Sequence, residues 1–179
     1  MLFRSGYNSL TDAPTATFEV YGQQYQMGLF LDKYYRDEPV AINDVGSVNF
    51  LSHIKCLDLL GLGNREIGRA RIMLRYDVNV IERLSRQNDI SLAIVNDKLY
   101  DLANIGGLPK SWIAVGQWHI PSNLINASDH VTFYAIDNTK ARRLIHNLRD
   151  FSPRLPSFVR QTGLYMEASG GELRPSVSN

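Results

Sequence analysis

Cysteine is nearly missing from the sequence: Cys56 is the single one in 179 residues. One thiol forms no internal disulfide, which fits a reducing compartment and excludes a disulfide-stapled secreted scaffold. It also excludes a zinc site of the usual cysteine-rich composition. Apart from His53, considered below with Cys56, the histidines His119, His130 and His146 show no metal-ligand spacing, so neither a metal nor another cofactor is expected. Long apolar runs are absent too. None approaches the roughly 20 residues of a membrane-spanning helix, and the leading Met-Leu-Phe-Arg-Ser-Gly lacks the apolar stretch of a secretion signal. The chain is therefore expected to be soluble and to remain in the compartment where it is made. Excess charge is also lacking: the net value is +1 at pH 7, too little to draw the protein onto every polyanion it meets.

What is present is the composition of an ordinary globular protein, with 44% apolar and 21% charged residues. A chain of this length buries about two-thirds of its unfolded surface. The expected fold is α+β: a single compact domain over 15–173, an antiparallel sheet with two or three packed helices, an N-terminal arm at 1–14 and a C-terminal tail at 174–179. Phe18 and Val20, then Tyr25, Met27 and Leu29, alternate around Gly22-Gln23 and predict a β-hairpin over 15–31. Asp44 followed by Val48, Leu51, Ile54 and Leu57 predicts a capped helix ending at Gly61. In 65–75 the alternation of Gly68, Ala70, Ile72 and Leu74 predicts a strand. A short helix is expected over 77–87, with Val78, Ile81 and Leu84 inward, and a second hairpin over 90–105 around Asn96-Asp97. Strands are expected at 112–120 and 130–136. A helix should follow Asp137 or Asn138, because Ala141, Leu144, Ile145 and Leu148 have helical spacing up to a break at Ser152-Pro153.

The spacings that carry enzymatic chemistry are absent. On the predicted helix His53 and Cys56 would share a face, where imidazole and thiol could meet, but a buried core cysteine beside a polar-edge histidine gives the same pattern. Gly61-Leu62-Gly63 resembles the opening of a dinucleotide fingerprint, yet it follows a helix and reads as a helix stop. Neither a phosphate-binding Gly-Lys-Ser loop nor a Gly-x-Ser-x-Gly elbow occurs. No enzyme active site is expected, and a small enzyme using Cys56 with His53 stands as the alternative.

Two basic segments are the better candidates. As a strand, 65–75 would line one sheet face with Arg65, Arg69, Arg71 and Arg75. The helix after Asn138 carries Lys140, Arg142, Arg143 and Arg149 on its outer side. Either row is commonly just solvated; two in one small protein point to an anionic partner, whether nucleic-acid phosphate or acidic lipid, bound in a salt-dependent way. Any nucleic-acid binding would not be sequence-specific, since basic and aromatic residues are not interleaved on a strand. In the arm, Leu2, Phe3 and Tyr7 are apolar residues without a regular period, suited to docking on a neighbouring subunit.

Three segments in order carry a family resemblance: Asp44-Val45 with Ser52-His53 running to Gly63-Asn64-Arg65 and Ile67-Gly68-Arg69; Val131-Thr132-Phe133-Tyr134-Ala135-Ile136-Asp137-Asn138; and Phe158-Val159-Arg160 with the following 163–170 stretch Gly-Leu-Tyr-Met-Glu-Ala-Ser-Gly. Their pattern and order resemble the matrix proteins of rhabdoviruses. The resemblance implies an α+β structural protein that self-associates, condenses the viral nucleocapsid, touches acidic lipid and promotes budding, placed beneath the virion envelope and, in the host cytoplasm, peripherally at membranes. Animal-virus members usually begin with a longer lysine-rich arm and a Pro-Pro-x-Tyr motif. This chain has 14 leading residues with Arg4 and no Pro-Pro pair, as a shortened, plant-virus-like member would. A bacteriophage head or tail component is the rival reading within the structural class.

Overall fold

A computed structural model of the chain describes residues 17–98, 100, 105–121 and 129–167. The α+β class holds: among the described residues six strands form one sheet, and five α-helices pack on its two faces. A π-helical turn, Tyr21–Tyr25, runs directly into α1, Gln26–Tyr34. β1 (Pro39–Ile42), α2 (Gly46–Ser52) and β2 (Lys55–Asp58) follow, then α3 (Arg65–Ile72), α4 (Val78–Gln87) and β3 (Leu92–Val95). β4 (Ile113–His119), β5 (His130–Ala135), α5 (Asn138–Phe151) and β6 (Arg160–Thr162) complete the order. The arm with Leu2, Phe3 and Tyr7, and the tail at 174–179, lie outside the described residues.

The strand order is β2-β1-β3-β5-β4-β6. β3–β5, β5–β4 and β4–β6 pair antiparallel, as expected, whereas β1 pairs in parallel with both β2 and β3. β3 lies inside the sheet, which explains its unbroken apolar run Leu-Ala-Ile-Val: all four residues are buried, two on each face. Val40, Ile42, Leu92, Ile94, Trp118 and Phe133 pack one face against Met27, Phe30 and Leu31 of α1 and Ala141, Leu144, Leu148 and Phe151 of α5. Ala41, Ala93, Val95 and Leu57 pack the other against Ile67 of α3 and Ile81 and Leu84 of α4. Both Asp77 and Asp137 cap their helices as the sequence suggests, each side chain accepting from a backbone N–H in the first turn.

Four expected elements differ. Over its described part, 17–31, the expected hairpin is helical: the buried side chains Glu19, Gln23, Gln26, Met27, Phe30 and Leu31 are spaced by helical turns. Polar side chains hold half of that face, so the apolar residues alone falsely suggested a period of two. The helix from Asp44 stops at Ser52, where His53 takes a left-handed conformation (φ 45°), and Leu57 belongs to β2. Segment 65–75 is a helix instead of a strand: the Asn64 side chain accepts from the N–H groups of Glu66 and Ile67, which nucleates α3. Among the described residues β3 pairs with β1 and β5 and not with a following strand; most of the expected second half of that hairpin, 99 and 101–104, lies outside them.

Candidate functional site

The arginines of 65–75 occupy a rigid corner. After β2 the chain turns on Asp58, whose carboxylate accepts from Leu60 N (2.8 Å) and Gly63 N (2.6 Å). The turn is fastened to α3 at Gly61 (φ 77°), where a Cβ would stand 2.7 Å from Gly68 N, and by Arg71, which donates to Leu60 O at 2.9 Å. At about 3.6 residues per turn, burial of Ile67 places Arg65, Arg69 and Ile72 on the opposite, outward side. The helix ends in a Schellman motif: Arg75 N donates to Ala70 O (2.8 Å) and Leu74 N to Arg71 O (3.0 Å). The left-handed position, usually glycine, is filled by Leu74 (φ 55°).

Charge and polarity at this corner are unbalanced. Ile72 is 84% exposed, Leu74 94% and Leu62, in the adjoining turn, 79%. Arg65, Arg69, Arg71 and Arg75 are all exposed, and none makes an ion pair with a described residue. The nearest helical carboxylate, Glu66, is taken by Arg83 at 2.6 Å. Four exposed cations and several large exposed apolar side chains thus share the α3 segment and its adjoining turns. The expected row of arginines on a sheet face does not exist; the same residues run along α3, from Arg65 at its first position to Arg75 just past its end.

Most of the second basic segment is engaged by neighbouring groups of the fold. Lys140 donates to Asp89 (2.7 Å) and to Ile90 O (2.8 Å). Arg143 holds Glu38 through both of its terminal nitrogens, donates to Tyr34 O at 2.8 Å and lies over the Tyr35 ring. Burial alone would raise the Glu38 carboxyl, but the hydrogen bonds from Arg143 and Ser91 outweigh it and hold it below its ordinary value. Arg149 donates to Tyr165 O and Glu167 O, both at 2.8 Å. These three side chains tie α5 to the rest of the fold, which leaves Arg142 exposed on its outer side without an ion pair to a described residue.

His53 and Cys56 do not share a helix face. His53 is exposed beside Asp32 (3.3 Å), while Cys56 is a β2 residue whose thiol is pushed up to about 12 by burial and by Asp58, the wrong direction for a nucleophile. Sequence reasoning missed a different pair. His119 and His130 are direct partners across β4 and β5, and Asp129 adjoins them. Pairing the two strands antiparallel about their shared loop would have revealed it, because both histidines flank that loop.

Residues 16–134 match the family described as a domain of unknown function, DUF8728. The chain belongs to this family. The matched span includes the arginine corner and His119, Asp129 and His130, and stops within β5. No curated protein and no solved structure matches the chain at a significant level.

Proposed function

We propose that the protein is a matrix-type structural protein whose 65–75 corner docks on an acidic lipid surface. The observation that carries this reading is the co-location of Arg65, Arg69, Arg71 and Arg75 with the exposed Ile72, Met73, Leu74 and Leu62. Cations near an anionic membrane contribute about 1 kcal/mol each, and apolar side chains at the same level add insertion into the headgroup boundary. Among the described residues no helix is long and apolar enough to cross a membrane, so attachment through this corner is peripheral. Self-association through Leu2, Phe3 and Tyr7, and contact with a nucleocapsid, complete the matrix role; the viral setting rests on the sequence resemblance alone.

The test is flotation of the full chain with vesicles. Binding to phosphatidylserine-containing vesicles at low salt, weakening as ionic strength shortens the screening length to about 8 Å and below, is expected. Equal recovery with neutral phosphatidylcholine vesicles, or none with either, refutes it. A phage head or tail component has no reason to show the acidic-lipid dependence.

A further inference from the structure

We infer that His119, Asp129 and His130 form a binding site for a divalent transition-metal ion of the zinc, cobalt or nickel class. One ligand atom from each of the three lies within 4.8 Å of the others. The backbone fixes this grouping. His119 and His130 are opposed in the β4–β5 ladder with ring centroids 5.1 Å apart, and Ile120 N donates to Asp129 O at 2.8 Å, closing the ladder just beyond them. Asp129 Oδ1 is already 2.9 Å from His130 Nδ1. A four-coordinate ion with bonds of about 2.0–2.2 Å spaces its ligand atoms roughly 3.3–3.6 Å apart, a spacing that side-chain rotation of these three residues can reach.

The donor set selects the ion. Two imidazoles and one carboxylate suit borderline metals, whereas calcium and magnesium favour all-oxygen cages. Three protein ligands leave a fourth position open, and all three residues are half-buried, within reach of solvent. Thr162 Oγ1, 3.1 Å from His119 Nε2, is placed to orient that ring from outside the ligand set. Two cations oppose the ion: the Arg160 guanidinium at 3.4 Å from His119 Nδ1 and Lys98 Nζ at 3.9 Å from Asp129 Oδ1. Arg160 is exposed and its long side chain can swing aside, so it acts as a competitor for His119. The site is separate from the α3 corner, and its fate does not depend on lipid docking.

The experiment is calorimetric titration of chelator-treated full chain with Zn2+, together with imidazole nitrogen NMR of the wild-type protein. A single-site isotherm is expected, with shifts at His119 and His130 and none at His53 or His146. His130→Ala and Asp129→Asn should each weaken binding by about tenfold or more, His146→Ala should leave it unchanged, and Arg160→Ala should tighten it. The wild-type NMR reading stands even where a variant fails to fold. Absence of a single-site isotherm, or shifts confined to His53 or His146, overturns the inference.

Discussion

Leu74 joins backbone stability to the proposed docking surface. A left-handed conformation costs an L-residue roughly 1–2 kcal/mol relative to right-handed helix, and with 94% of its surface exposed Leu74 recovers nothing by packing within the chain. Replacement by glycine removes that strain and keeps both Schellman hydrogen bonds, while adding backbone entropy to the unfolded state. Leu74→Gly is therefore expected to raise unfolding stability by roughly 0.5–1 kcal/mol in denaturant titration and to lower vesicle affinity. A variant that is both more stable and equally well bound would detach Leu74 from the docking surface. Arg143 illustrates the contrary case, a cation whose place in the sequence looks like a surface feature and whose partners, Glu38 and Tyr34 O, make it a clamp.

Elements were legible where local pattern and tertiary burial agree. α4 and α5 have capping aspartates and apolar residues at helical spacing, and both form over nearly the expected residues. Elements whose buried face includes polar groups were not legible, as Glu19, Gln23 and Gln26 show in the first helix. Parallel pairing was equally hidden, because β1 finds β2 and β3 across intervening helices and no turn signal announces it. The β4 edge depends on another nonlocal feature. At Gly116, next to a register shift in β4, a Cβ would stand 2.2 Å from the Tyr165 ring and 2.9 Å from Thr162 O, so the strand must be bare there for β6 and Tyr165 to close over it. Gly116→Ala should cost roughly 1–3 kcal/mol by overpacking, read as a lowered midpoint in urea, and an unchanged midpoint would show that Tyr165 moves freely.

For the molecule as a whole, the two basic segments separate into different tasks. Lys140, Arg143 and Arg149 tie α5 to Asp89, Glu38 and the turn at Tyr165, whereas Arg65, Arg69, Arg71 and Arg75 make no ion pair with a described residue. With a net charge of +1, the proposed docking rests on the local cations and exposed apolar residues of the α3 corner. The measurement that tests this most directly compares charge reversals on the two helices under identical conditions, using acidic vesicles at low salt. Arg65→Glu with Arg69→Glu should reduce vesicle affinity by about tenfold or more, at about 1 kcal/mol per cation, while Arg142→Glu leaves it within about twofold. Equal losses from both, or a loss from Arg142→Glu alone, would contradict docking through the α3 corner.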